Sequence, residues 1–518
     1  MDRRARIPVS LPRDHPTKPF WQDPPDAAVA DLRSTPELPM AVDVVIVGSG
    51  ITGTSIAYHL LGVNGTNTKK VPSVLMLEAR QAASGATGRN GGHTKAASYR
   101  SFLDHAAALG TDSAVQIARL ELSAIDAVHS LAAAGIDCDS HPCDTLDVVY
   151  DTAQWARAQK AVAAMQAAMP TGDPAAEYTL YSREEALAQF PCSDDVDEDG
   201  ATKPICGVVR YVAGSVSAYR FTAGVLKQCL AQGLNLQTNT PVTEISKDDD
   251  NGWTVRTDRG VVSTRHVVLA TNGYTAHLVP ALQSVVVPLR GQIAMHRAGS
   301  NMPGTSVGRE APNTSSLLTT YSFIYDQGYE YMITRPPGSK CAGDVVIGGG
   351  LKFADPTAEG GLCEYGTTDD TTLNSAVSTY LREAPVRYFG RGDNGGGVHD
   401  WGSDHPDGRV RAEWTGIMGY TPDGHPLVGE MPATTGDNKD NGGLWLCCAF
   451  QGHGMVYSWP CGRALATMIQ TGGLEDEAAK KDAGTALQAW FPDCFRVTEE
   501  RLKKRFVGRL HTSVKEDH

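Results

Sequence analysis

The clearest patterning along the chain lies between residues 42 and 61. Val42, Val44, Val45, Ile46 and Val47 form a nearly continuous β-branched run, the signature of a strand buried on both faces of a parallel sheet. Ile51, Ile56, Ala57, Leu60 and Leu61 then recur at helical spacing. Residues 73–78 repeat the strand pattern, and the Gly/Asn/Lys-rich insert 62–72 predicts a surface loop between helix and strand. Residues 101–134 read as helix, with Leu109, Ala118, Leu122 and Leu131 on core-facing positions. A strand over 144–150, an amphipathic helix over 152–169 and a helix capped by Ser182 follow. Residues 207–211 lead into a segment over 213–216 and a helix over 219–232. Strands over 234–238 and 241–245, a hairpin 253–257/260–262 and a buried strand over 266–273 ending in a glycine turn come next. Between 285 and 400 short apolar runs (286–294, 329–335, 344–349) alternate with Gly/Pro/Asn turns and predict an antiparallel sheet. A return over 414–429 turns on Pro422-Asp423-Gly424, and a strand over 443–450 precedes a helix opening at 452–455 and reaching about residue 470.

Composition narrows what this pattern can serve. At 518 residues the chain is long enough for two well-buried cores, and 41% hydrophobic with 20% charged residues is ordinary for a globular protein. A formal net charge of −13 argues against nucleic acid or an anionic membrane as main partner. No window is apolar for long enough to span a bilayer, and the basic N-terminus has no apolar stretch behind it, so cytoplasm is the expected compartment. The C-terminal residues 514–518 do not match the peroxisomal tripeptide. Residues 1–40, rich in Pro and charge, predict either an extended arm anchored by Phe20 and Trp21 or a disordered tail. The 11 cysteines lack metal-ligand spacing apart from adjacent Cys447 and Cys448, so reduced thiols and no metal are expected. The Asn64 and Asn313 glycosylation acceptors read as chance matches.

Candidate chemistry sits in the first unit. Gly48, Gly50 and Gly53 stand at G-x-G-x-x-G spacing between strand and helix, so Ser49, Ile51 and Thr52 line a turn whose backbone can approach a pyrophosphate. The helix N-terminus adds N–H groups and a partial positive charge. Glu78, ending the second strand, is placed to accept from an adenosine ribose. The unit predicts a dinucleotide site. Beyond Glu78 runs a Gly/Ser/Asn-rich loop, Ala79, Arg80, Ser84, Gly85, Ala86, Thr87, Gly88, Arg89, Asn90, Gly91, Gly92 and His93. A nicotinamide enzyme has no evident use for such a loop, whereas a flavin enzyme needs small residues and amides along the pyrophosphate and ring edge.

With that loop the chain resembles the D-amino-acid oxidase/glycine oxidase superfamily of FAD-dependent amine oxidoreductases, nearest in motif to the γ-glutamylputrescine oxidases and fungal relatives. The resemblance covers about residues 42–471. It implies an α/β fold: a Rossmann-like FAD-binding domain of the glutathione reductase type, with an interleaved α+β substrate domain on an antiparallel sheet. The implied divisions are an arm (1–40), an FAD-binding domain (41–100, 205–283, 410–472), a substrate domain (101–204, 284–409) and a helical tail (473–518). It also implies an adenine contact from Val242, a passage under the pyrophosphate by Ala270, Thr271 and Asn272, and flavin contacts from Gly416 and from Gly452, His453, Gly454 and Met455. A helix opening at that glycine pair would stabilise negative charge on reduced flavin. His453 either touches flavin or substrate or holds its loop. Arg335 resembles the carboxylate-binding Arg of glycine oxidases or is simply solvated on its Pro-Pro-Gly turn, and Tyr331 is a pocket wall or a core aromatic. Covalent attachment is not expected: Met418 stands where sarcosine oxidases carry the linking Cys, and Arg89 where dimethylglycine dehydrogenases carry the linking His. The implied reaction is oxidation of a C–N bond of an amine or amino acid to the imine by hydride transfer to flavin N5, with dioxygen accepting electrons to give hydrogen peroxide. The alternatives are a dehydrogenase with another acceptor and a catalytically silent flavin-binding relative. The oligomeric state is not legible in the sequence.

Overall fold

The structure is a computed structural model. It describes residues 2–63, 65, 71–194, 196–197, 202–248, 252–302, 317, 319–326, 328–354, 362–390, 400–432, 442–474 and 476–506. The two glycosylation acceptors and the C-terminal residues 514–518 lie outside them.

Two sheets organise the chain. In the first, strands Asn235–Gln237, Val74–Leu77, Ala41–Val47, Gly260–Leu269 and Leu444–Cys448 run parallel in that order. The antiparallel strands Val242–Lys247, Trp253–Thr257 and Leu427–Glu430 extend it. The predicted hairpin arm and the buried strand after it prove to be one strand, Gly260–Leu269. Its first half pairs with Trp253–Thr257 and its second half with Leu444–Cys448, so two different partners divide one continuous backbone. Helices Ile51–Leu60 and Gly454–Gly472 cover one face. They approach so closely that a Cβ on Gly462 would lie 2.5 Å from Ser55 Oγ.

The second sheet has nine strands, with Val410–Tyr420, Val287–His296, Val345–Gly348, Gly328–Thr334, Thr320–Tyr325, His141–Val149, Gly207–Ser215 and His93–Lys95 adjacent in that order. It is antiparallel except at Thr320–Tyr325 against His141–Val149, which are parallel. Those two strands are separated by a long excursion through the first sheet, which is what a parallel pairing requires. The helical stretch 101–134 is broken into Tyr99–Leu109 and Thr111–Ala133 by Gly110, whose φ of 86° no helix interior adopts. Strand Thr320–Tyr325 and helix Ser375–Phe389 carry no periodicity strong enough to stand out among the neighbouring turn residues.

The nine-stranded sheet has two unlike faces. Tyr321, Phe323, Met332 and Ile347 pack under helix Ser375–Phe389 with Tyr380, Leu381 and Ala384. The opposite face carries Ile293, Met295, Ile333, Val346 and Trp414, and meets Trp21 and Ala83. Trp21 is thus an integral wedge: its indole N–H donates to Asn90 O at 2.6 Å and its ring packs edge-on to Trp414. All eleven cysteines are free thiols. Among the described residues no helix is long and apolar enough to cross a membrane.

Candidate active site

The site starts at the turn after Ala41–Val47. Gly48 has φ +105°, and a Cβ there would lie 2.7 Å from Ala270 O, so Ala270 and Thr271 pass directly against the turn. A Cβ on Gly53 would come within 2.0 Å of Gly48 O, which demands glycine for the helix to start this close to the strand. Glu78 closes the turn: Oε2 accepts from Ser49 N (3.0 Å) and Oγ (2.7 Å), and Oε1 from Arg80 N (3.0 Å). Two carboxylate oxygens offer about four acceptor positions, so one remains for a hydroxyl. Val242 is buried two residues beyond Thr240, whose N–H donates to Glu78 O.

The glycine-rich loop wraps the helix start and then turns into the second sheet. Thr87 Oγ1 accepts from Ile51 N at 3.0 Å. Asn90 braces the loop through Ala86 O and Thr87 O, and its Oδ1 accepts from Gly92 N; its Nδ2 also approaches the Met455 sulfur at 3.6 Å. Arg89 is consumed by the scaffold: its guanidinium donates to Ser84 O, Thr415 O and Thr17 O, and Asp370 lies 3.6 Å away. Arg80 likewise makes a paired contact with Asp370. Beside these, Ser84 Oγ and Tyr274 Oη are buried with no hydrogen-bond partner.

At Gly91 the loop reaches the inner face of the nine-stranded sheet, where its N–H donates to Tyr331 Oη at 3.2 Å. Register places Asp147, Ser322, Tyr331, Gly348, Ile293 and Trp414 in one row across six strands, all on that face. Glycines open the row and its neighbour: the Tyr331 ring lies against Gly348, Met418 against Gly291, and Arg89 behind Gly416. Gly452 faces Met418 and Tyr420 at the mouth of helix Gly454–Gly472.

Alternation along His93–Lys95 sends His93 and Lys95 to the same inner face. His93 Nε2 bonds Thr320 Oγ1 at 2.7 Å, and burial together with Lys95 keeps its pKa well below the usual imidazole value, so the ring is neutral. Lys95 Nζ donates to Asp147 Oδ1 (2.7 Å) and Ser322 Oγ (2.5 Å). Asp147 Oδ2 accepts from Tyr99 Oη (2.8 Å) and Tyr211 Oη (2.9 Å). Burial pushes the Lys95 pKa down to about 8 against the opposing pull of Asp147, with Arg100 lowering it further. Arg100 lies with its guanidinium carbon 4.2 Å from the Tyr329 ring centroid.

The sequence-derived candidates divide accordingly. Tyr331 faces the loop and sheet as a wall residue. His453 is exposed, and its Nδ1 sits 2.9 Å from Gln451 O, a loop-holding contact. Arg335 is neither solvated nor available: it is 3% exposed, pairs with Asp139 at 2.8 Å, donates to Lys340 O and packs on Trp21 and Phe20. Phe20 and Trp21 of the N-terminal arm cover its guanidinium, which local turn chemistry alone does not announce. Lys95, Asp147, Tyr99, Tyr211 and Arg100 were not singled out from sequence. Two signals were present, the acid inside the apolar run 144–150 and the two-residue spacing of His93 and Lys95.

The chain is similar to known proteins along most of its length. Residues 43–468 match the family described as DAO, FAD dependent oxidoreductase. The chain is 25% identical over 312 residues to a probable oxidoreductase OrdL of Rhizobium meliloti (strain 1021), covering 58% of this chain and 68% of that protein. Among solved structures it resembles glycine oxidase from Geobacillus kaustophilus, with a TM-score of 0.60 at 19% identity, covering 89% of this chain and 99% of the other. L-proline dehydrogenase from P. horikoshii superposes with a TM-score of 0.56 at 17% identity over 85% of this chain and 96% of the other.

Proposed function

The chain belongs to the FAD dependent oxidoreductase family, and from that premise we propose that it oxidises a C–N bond of an amine or amino acid to the imine. The residues present fit FAD. The turn at Gly48, Gly50 and Gly53 leaves backbone for a pyrophosphate, Glu78 keeps an acceptor position, and Ser84 Oγ is a buried hydroxyl awaiting a partner. FAD, when bound, would supply the hydride acceptor, with dioxygen as the oxidant that yields hydrogen peroxide. Gly48–Gly53, Glu78, the loop 84–93, Val242, Ala270–Asn272, Gly416 and Gly452–Met455 are its proposed contacts.

Noncovalent binding is supported by the same geometry. Met418 offers no nucleophile, and the His93 ring is engaged with Thr320. The chain's own residues do the rest. The Gly454–Gly472 helix aims its N-terminal amides at the site mouth, where negative charge is favoured. Tyr331, Tyr329 and Met418 wall the inner face and exclude water, which strengthens every charge contact there. Lys95 Nζ holds a proton between Asp147 and Ser322.

The observation that carries the reading is the meeting of the Gly91 amide with Tyr331, because it brings the dinucleotide loop and the cationic sheet face into one site. Acid precipitation should release the yellow chromophore into the supernatant; colour retained in the pellet contradicts noncovalent binding. The fold shared with a protein named as a dehydrogenase supports a second reading, a non-oxygen acceptor. Mixing substrate-reduced protein with air-saturated buffer decides: rapid return of the oxidised spectrum with peroxide favours the oxidase, slow return the dehydrogenase.

A further inference from the structure

The N-terminal arm meets the glycine-rich loop at successive points. Thr17 O accepts from Arg89 Nη2 at 2.6 Å, and Trp21 Nε1 donates to Asn90 O at 2.6 Å. Gln22 Nε2 donates to Gly88 O at 3.0 Å and reaches Ser84 O at 3.5 Å. Just ahead of the loop, Ala82 N donates to Ala30 O at 2.9 Å. The fit at Gln22 is tight, since a Cβ on Gly88 would lie 2.1 Å from its amide nitrogen. Both Trp21 and Gln22 are buried. The peptide between Asn90 and Gly91 is gripped from both sides, its carbonyl by the Trp21 indole and its N–H by the Tyr331 phenol. A trans peptide points those two groups in opposite directions, so the two contacts together fix its plane. Gly85, Gly88, Gly91 and Gly92 would give an unheld loop wide conformational freedom. Holding it in one form beforehand lowers the ordering cost that a ligand would otherwise meet. The arm is itself held away from the loop, Thr17 N donating to Asp370 O at 2.8 Å and Arg4 Nε to Tyr365 O at 2.7 Å.

Resting on the proposed contact of loop 84–93 with FAD, we propose that Trp21 and Gln22 are positioning residues for the cofactor. They act through the loop, holding its carbonyls toward the arm in the form that receives the dinucleotide. The coupling is reciprocal: whatever the arm adds to FAD affinity, FAD adds to the ordering of the arm.

The test reconstitutes full-length apoprotein with FAD and reads Kd from quenching of flavin fluorescence. It compares wild type with Trp21→Phe, Gln22→Met, their double variant, Asn90→Ala and Arg4→Met. Trp21→Phe keeps a ring and drops the N–H; Gln22→Met keeps the length and drops the amide. Each single arm variant should weaken FAD about five- to tenfold, and the pair at least about thirtyfold. Arg4→Met, at the far end of the arm, should lower the melting temperature and leave Kd within about twofold of wild type. In the wild type, FAD should slow hydrogen exchange over residues 17–30 and not over residues 4–9, a response that a purely structural arm would not give. The assignment is overturned if Asn90→Ala weakens FAD while Trp21→Phe and Gln22→Met do not. It is also overturned if Arg4→Met weakens FAD as much as they do, or if exchange over residues 17–30 ignores FAD. If wild type binds FAD and no loop or arm variant alters Kd, the loop contact falls and the arm's role with it. A wild type that takes up no FAD overturns the flavin reading itself.

Discussion

One strand, Gly328–Thr334, feeds two buried polar clusters on opposite faces of the nine-stranded sheet, and the two are built on different principles. On the outer face Glu330 is enclosed by phenols. Its Oε1 accepts from Tyr325 (2.5 Å) and Gly350 N (3.1 Å), its Oε2 from Tyr380 (3.1 Å) and Tyr388, and among the described residues no cation pairs with it. Burial lifts its pKa to about 7 in spite of those donors. On the inner face Asp147 has two phenols and a lysine, with a stacked arginine beside them. An acid that solves its desolvation by taking a proton needs nothing further and belongs to the scaffold. A cluster that carries surplus positive charge among the described residues has room for an anionic partner, and this asymmetry supports the proposal that the inner face is the functional one.

Removing one acid from each cluster should separate them most sharply. Asp147→Ala leaves Lys95 and Arg100 without their shared counter-charge, and a buried pair broken on one side costs about 3–5 kcal/mol. Glu330→Gln keeps size and acceptor, and at pH 6 should cost no more than about 1.5 kcal/mol. Urea unfolding measures both, and equal losses would erase the distinction.

The pH dependence should come next, with opposite signs. Glu330 has a folded pKa raised from 4.5 to about 7, so its contribution to stability is full below the unfolded value and fades as pH climbs through 7. The shift corresponds to roughly 3 kcal/mol. Lys95 is lowered from 10.5 to about 8, so the unfolded chain binds the extra proton between those values and stability rises with pH across that window. Difference curves of wild type against Glu330→Gln and against Lys95→Met should slope down between pH 4.5 and 7 and up between 8 and 10.5. Flat curves would mean that neither group is held as described.

A limited effect is expected at Arg335→Met. Asp139 keeps Arg220 at 2.8 Å, so the loss should stay at about 1–3 kcal/mol of stability, and carboxylate affinity should hold. A collapse of that affinity would return Arg335 to the site.

The parts of this picture legible in sequence are those fixed by local rules. The strand–turn–helix at 42–61 follows from apolar run, glycine spacing and helical period, and the close approaches at Gly48 and Gly53 follow from the same glycines. The family loop at 84–92 was equally plain. What escaped depends on long-range pairing. Lys95 and Asp147 meet only because strands His93–Lys95 and His141–Val149 both flank Gly207–Ser215. Arg100 reaches Tyr329 across 229 positions of sequence (329 − 100). Arg335, conversely, had the right local setting, and the arm carrying Phe20 and Trp21 closed over it.

The central claim is that this chain, with FAD bound, takes a hydride from an amine at the face carrying Tyr331, Lys95 and Arg100. Anaerobic titration of the yellow protein with a panel of amino acids and amines, among them glycine, N-methylglycine, methylamine and propylamine, tests it most directly. The account predicts that the visible flavin bands bleach with at least one of them. A spectrum that dithionite bleaches and no amine does would contradict it.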